Sequence, residues 1–285
     1  MFEKGNKIGI VGCSNGQLKS NEDKVNLLLN RITEMGLEPV CSEFIYESDS
    51  YFSASGRERA GTLMDMYRND EIKGIFDISG GDIANEILDY LDFDVIRDNP
   101  KPFFGYSDLT TIINAIYAKT KVQSGLYQIR NLIYEDEENQ LNAFRETFFE
   151  GKDTLNDISY YFIQEGYMEG KIIGGNIRCF LKLAGTEFMP DFNGKILLLE
   201  ALNATSAQVT TYLCQLRQMG AFEKINGILL GTFTRLDSEI FVPSVEEIVQ
   251  RIAGRDIPVA RTMDIGHGTD SKCIYIGKHM RFIES

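Results

Sequence analysis

Ser107 stands in Phe103-Phe104-Gly105-Tyr106-Ser107-Asp108-Leu109-Thr110, between a short apolar run and an amphipathic helical pattern, where a serine could serve as a nucleophile. A tight strand-to-helix turn projects the residue at its apex, and free N–H groups of the following turn face any negative charge developing beside it. Gly105 supplies the small residue such an elbow needs, although the second glycine of G-x-S-x-G is replaced by Leu109. The other reading of Ser107 is an ordinary helix N-cap. A serine hydroxyl needs a base to take its proton, and histidine's intrinsic pKa suits that work. Only His267 and His279 are available. His267 lies in Asp264-Ile265-Gly266-His267-Gly268-Thr269, where flanking glycines allow close backbone approach, whereas His279 reads as a surface residue at a strand entry. Glu200 ends the apolar run Lys195-Ile196-Leu197-Leu198-Leu199-Glu200 and could orient the imidazole, or be a solvated glutamate capping the next helix. The order Ser, Glu, His matches α/β-hydrolases, but triads arise in several orders.

A glycine turn, Ile78-Ser79-Gly80-Gly81-Asp82, ends another predicted strand and starts a helix. For a serine hydrolase its amides, with the N–H of Asp108, would form an oxyanion hole. A tight βα turn or a phosphate-binding loop has the same appearance, although no G-x-G-x-x-G or P-loop pattern is present. Gly174-Gly175-Asn176 opens a further helix, with chain closure, packing and ligand binding all open as its role.

The elements that must position these residues alternate. Strands are predicted at Lys7 to Cys13, Leu37 to Phe44, Ile72 to Ser79 and Pro102 to Tyr106, with helices at Asn21 to Met35, Arg57 to Asn69 and Ile83 to Leu91 between them. Leu109, Ile112, Ile113, Ile116 and Tyr117 predict a helix packed by one face after Ser107. A charged helix, Glu135 to Glu150, precedes a polar boundary segment. Beyond it lie strands at Ser159 to Gln164, Lys171 to Ile173, Lys195 to Glu200, Ile225 to Leu230, Pro258 to Arg261, Cys273 to Ile276 and Met280 to Ile283. Helices at Ile177 to Leu183, Ala207 to Met219 and Val245 to Ala253 make this half mixed. The fold class is α/β: an N-terminal parallel-sheet, Rossmann-like domain (1–150), a linker region (151–165) and a smaller mixed α/β C-terminal domain (166–285).

With 285 residues and 43% hydrophobic content the chain can bury a full core. Its 42 acidic against 29 basic residues give −13, which repels polyanions, so nucleic acid is not expected as a partner. No apolar stretch reads as a signal or membrane span, so the expected setting is soluble and cytoplasmic. Five scattered cysteines without a C-x-x-C pair fit reduced thiols; Cys13 could be reactive, but reads better as a small buried residue. Two histidines cannot build a three-histidine zinc site, and no metal is expected.

Several long stretches together resemble one family, the serine LD-carboxypeptidases and their relatives the microcin C self-immunity peptidases. They are Lys4-Gly5-Asn6-Lys7-Ile8-Gly9-Ile10-Val11, Ser79-Gly80-Gly81 through Tyr90-Leu91-Asp92-Phe93-Asp94, and Asn99-Pro100-Lys101-Pro102 through Asp108. Gly170-Lys171-Ile172-Ile173-Gly174-Gly175-Asn176, Met189-Pro190-Asp191-Phe192-Asn193-Gly194 through Glu200, and Ile265-Gly266-His267 follow in the family's order. The resemblance implies an acyl-enzyme mechanism without cofactor, a site between the two domains and, commonly, a homodimer. It implies Ser107, Glu200 and His267 as the triad and the amides of Gly81 and Asp108 as the oxyanion hole. Gly80, Asp82 and Asn176 are the expected substrate-binding positions. The implied partner is a small substrate: most simply a murein tetrapeptide cut at its L,D bond, alternatively an aminoacyl or peptidyl nucleotide, and otherwise a ligand bound without turnover. Three departures bear on that choice. Tyr127-Gln128 stands where the family often has Gly-Pro, Ala201-Leu202-Asn203-Ala204 lacks a further acidic residue, and the chain has no tryptophan to stack on a nucleotide, a task that a tyrosine or phenylalanine would perform more weakly.

Overall fold

The computed structural model describes residues 1–238 and 242–284. Five strands arise in the first half: β1 (Lys7–Val11), β2 (Glu38–Cys41), β3 (Ile72–Asp77), β4 (Phe103–Gly105) and β5 (Ser124–Leu126). Five follow in the second: β6 (Tyr161–Gln164), β7 (Tyr167–Asn176), β8 (Lys195–Ala201), β9 (Gly227–Phe233) and β10 (Val259–Arg261). The last two, β11 (Ile274–Ile276) and β12 (His279–Ile283), join different sheets.

The first sheet has the order β11-β5-β4-β3-β1-β2, parallel except for β11. Strand order reverses between β1 and β3, the kind of switch point where the carboxyl ends of parallel strands leave a crevice for ligands. The second sheet has the order β12-β7-β8-β9-β10-β6, with β7 to β10 parallel and antiparallel strands on both edges. Its central strands read as continuous apolar runs because both faces are covered: Ile196, Leu197, Leu198 and Leu199 of β8 are all fully buried. Local signals start the covering helices. Ser55 with Glu58, Thr205 with Gln208 and Ser244 with Glu247 each form a reciprocal capping box at the N-terminus of a helix.

Three expectations need correction. The helix after Ser107, Thr110–Thr120, is not packed by one face: Thr110, Thr111 and Asn114 are buried along with its apolar residues, because the second half packs on the side its polar residues occupy. The segment Ala84–Tyr90 is a 3-10 helix, not an α-helix. The sheets also cut across the division by residue number. Tyr161–Gln164, inside the expected linker 151–165, is the edge strand beside β10, and Ile274–Ile276 of the expected C-terminal domain completes the first sheet against β5. Strand β5 and the helix Phe93–Asp98 are elements that pattern reading did not find.

Candidate active site

Strand β4 ends at Gly105, and the chain turns at once into a 3-10 turn, Ser107–Leu109, continued by the helix Thr110–Thr120. Ser107 has φ 53, the left-handed region that a residue with a side chain enters at a cost. Such a conformation persists only where the surroundings impose it. Gly105 is required by the same bend, since a Cβ there would stand 2.5 Å from Cβ of Leu109. The N–H groups opening the turn have no carbonyl one turn earlier to bond to.

Glu200 lies near the carboxyl end of β8 and is fully buried; His267 lies in the loop after β10 with 7% of its side chain exposed. Their side chains meet, Nδ1 of His267 standing 2.6 Å from Oε2 of Glu200. A carboxylate can only accept, so Nδ1 is the donor, and in the neutral imidazole Nε2 is then the nitrogen that holds the lone pair. Nε2 is buried and, among the described residues, without a hydrogen-bond partner. The loop is drawn tight by Gly266, where a Cβ would overlap Oγ1 of Thr232. Tyr106, the residue before Ser107, joins the elbow to this loop. Its ring packs on the imidazole with centroids 4.5 Å apart, and its hydroxyl donates to the carbonyl of Gly266, which also accepts from Ser271. Burial, and then the Glu200 charge, push the Tyr106 phenol well above its ordinary pKa, so it remains a donor. His279 is exposed beside Glu169, as its surface reading predicts.

The Gly80–Asp82 turn is pinned from two sides. Asn15 donates its N–H to the carbonyl of Gly80 (3.1 Å), and its side-chain oxygen accepts from the N–H of Asp82 (2.9 Å). Because the C=O and N–H of a trans peptide point oppositely, fixing the Gly80 carbonyl also fixes the N–H of Gly81. Gly81 has φ +122 and its missing Cβ leaves room for the Asn15 amide, which would otherwise be 2.3 Å away. From the second half, Arg178 donates to the carbonyl of Gly81 (3.1 Å) and pairs with the Asp82 carboxylate, whose pKa this hydrogen bond lowers. Lys182 reaches the carbonyl of Asp82 (2.7 Å) and the carboxylate of Asp108 (2.5 Å). Asp108 is fully buried and accepts also from Oγ of Ser14 and the N–H of Ala84.

A cavity of about 290 Å³ opens at Ser107, lined by Asp82, Asn176, Arg178, residues 201–204, Gln208 and Tyr212. Asp82 and Asn176 line it, while Gly80 is engaged by Asn15 and is not among its lining residues. The uncharged run Ala201-Leu202-Asn203-Ala204 forms one wall. Tyr127 and Gln128 do not: Tyr127 is buried and bonds Gln140, and Gln128 caps the N–H of Arg130. Gly174 and Gly175 answer to packing, since a Cβ on them would meet the carbonyl of Leu198 at 2.2 Å and Oγ1 of Thr110 at 2.9 Å. Cys13 is buried and its thiol pushed well up, which makes it inert. Tyr106, Lys182 and Arg178 are the site residues that sequence reasoning missed. Only the hydrogen-bonding capacity of their side chains was visible beforehand.

Residues 8–128 match the LD-carboxypeptidase N-terminal domain and residues 169–282 the LD-carboxypeptidase C-terminal domain. A protein of Bacillus subtilis (strain 168) named probable murein peptide carboxypeptidase is 27% identical, over 97% of this chain and 88% of that one. The microcin C7 self-immunity protein MccF of Escherichia coli is 27% identical, over 81% of this chain and 77% of its own. Among solved structures, an MccF-like protein from Bacillus anthracis str. Ames superposes with a TM-score of 0.88 at 27% identity, covering 100% of this chain and 95% of that chain. MccF in complex with aspartyl sulfamoyl adenosine shares the fold at a TM-score of 0.87 and 22% identity, over 99% of this chain and 94% of that one. The chain belongs to the LD-carboxypeptidase family.

Proposed function

We propose that this chain is a cytoplasmic serine peptidase that hydrolyses an amide bond near a carboxyl terminus, with the L,D bond of a murein tetrapeptide as its substrate. Oγ of Ser107 attacks the carbonyl carbon while Nε2 of His267 takes the hydroxyl proton, and Glu200 stabilises the imidazolium that forms. The carbonyl oxygen gathers charge against the N–H groups of Gly81 and Asp108. Collapse of the tetrahedral intermediate breaks the C–N bond, His267 gives its proton to the leaving amine, and water then hydrolyses the acyl-enzyme by the same path. The observation that carries this reading is the buried Glu200–His267 pair, its opposite ring nitrogen unpartnered among the described residues and its imidazole packed on Tyr106, the residue before a serine at φ 53.

The test is release of the terminal residue from a purified murein tetrapeptide, followed by mass spectrometry. Ser107→Ala should lower kcat by about 10⁴-fold or more; full turnover in that variant would sink the mechanism. A second substrate reading is favoured by Tyr212 in the cavity wall, an aromatic face on which a planar base could stack, and by the likeness to MccF. Turnover of aspartyl sulfamoyl adenosine with none of the tetrapeptide would select it. A binding module without turnover would leave Ser107 unlabelled by a fluorophosphonate. A homodimer is part of the proposal, and sedimentation of the purified chain checks it.

A further inference from the structure

We infer that Lys182 is a positioning residue for the oxyanion site, holding together the two turns that carry its amides and neutralising the buried carboxylate beside them. This rests on the reading that the Gly81 and Asp108 amides receive the oxyanion. The two turns follow the paired strands β3 and β4 and are linked within their own half by the Ala84 N–H donating to the Asp108 carboxylate; Lys182 adds a charged link from the other half. Lys182 comes from the short helical segment Ile177–Leu183 of the other half, and its one ammonium contacts both: the Asp82 carbonyl at 2.7 Å and the Asp108 carboxylate at 2.5 Å.

The charge matters as much as the tether. Asp108 offers an N–H to the developing anion, yet its own carboxylate is fully buried on the same residue and, left unpaired, would repel that anion. Its other donors, the Ser14 hydroxyl and the Ala84 amide, are neutral and cannot cancel a full charge. Arg178 binds the neighbouring Asp82 carboxylate and Gly81 carbonyl instead. Lys182, with 17% of its side chain exposed, is the cation in contact with Asp108.

The experiment measures the rate of Ser107 phosphonylation by a fluorophosphonate, together with kcat and KM on the murein tetrapeptide and the melting temperature. In phosphonylation the Oγ–P bond forms, the P–F bond breaks and the serine proton passes to His267, so the phosphoryl oxygen occupies the oxyanion site whatever the natural substrate is. Lys182→Met should slow labelling and lower kcat by about tenfold or more while KM changes by less than about threefold. Lys182→Arg should restore most of the rate, and adding Asp108→Asn to Lys182→Met should recover part of it by removing the unpaired charge. A Lys182→Met rate within twofold of the parent, or no recovery in either second variant, overturns the inference. If Lys182→Met does not fold, Lys182→Met/Asp108→Asn is compared with Asp108→Asn alone, where the lost tether should still slow labelling and equal rates overturn the inference. Labelling that survives Ser107→Ala would instead discard the catalytic reading itself, so the two failures are distinguishable.

Discussion

Ser107 and Glu200 both sit at carboxyl ends of parallel strands, but in different sheets and in backbones of opposite character. Glu200 is in the extended backbone of β8, with Asn176 of β7 as its partner in register and a register shift against β9 at its position, and its His267 partner belongs to the same half. Ser107 is at φ 53 on a bend that its own half supports incompletely. The turns around it are steadied by Lys182 and Arg178, and its neighbour Tyr106 reaches across to Gly266. The proposed acid–base pair is thus held within one half, whereas the proposed nucleophile is held partly by the contact between halves. The difference suggests that damage to the first type of support changes chemistry without unfolding, and damage to the second changes both.

Among the substitutions that test this contrast, the largest effect should come from Glu200→Gln. A glutamine offers Nδ1 either an acceptor or a donor, so the wrong imidazole tautomer becomes available, and kcat should fall by about 10³ to 10⁴. Circular dichroism and the melting temperature should stay near the parent's; a collapse of the fold would show that the second half is not self-sufficient. Asn114→Ala strikes the contact between halves. Its side chain donates to the Gly174 carbonyl at 2.8 Å and accepts from the Gly174 N–H at 2.9 Å, all buried. Urea unfolding should show a loss of about 2 to 4 kcal/mol, because two buried backbone groups lose their partner. A change below about 0.5 kcal/mol would mean the halves hold together without it. The smallest and sharpest test is Tyr106→Phe, which keeps the ring on His267 and removes only the hydroxyl bond to Gly266. We expect about 1 kcal/mol of stability lost and kcat lowered by about tenfold, read by steady-state kinetics beside unfolding. An unchanged kcat would assign the alignment of His267 to its own half alone.

Much of this was legible in residue order, and the reason differs by residue. Apolar runs between capping signals located nearly every strand and helix, since both report local burial and local hydrogen bonding. Strand β5 escaped because Ser124-Gly125-Leu126 is too short for alternation. Gly125 is needed there because the Phe104 ring comes within 2.3 Å of where a Cβ would be. Ser107, Glu200 and His267 stood out because each type is unusual at its place. Tyr106 and Lys182 did not, because what distinguishes them is a partner on the other sheet, and no local pattern encodes it. The helix after Ser107 departs from its pattern for a related cause: Thr110, Thr111 and Asn114 look solvated, but Thr110 and Asn114 form a polar seam along β7 and Thr111 donates back to the Asp108 carbonyl.

Strand β11 carries a consequence for how this chain comes into being. It follows the second half's central strands in the chain but belongs to the first sheet, and β12, immediately after it, closes one edge of the second. During synthesis the first half can collapse around β1 to β4, yet its β5 edge stays open for pairing until residues 274–276 have emerged. Completion of the sheet that leads into Ser107 therefore waits on a segment that follows His267 in the chain.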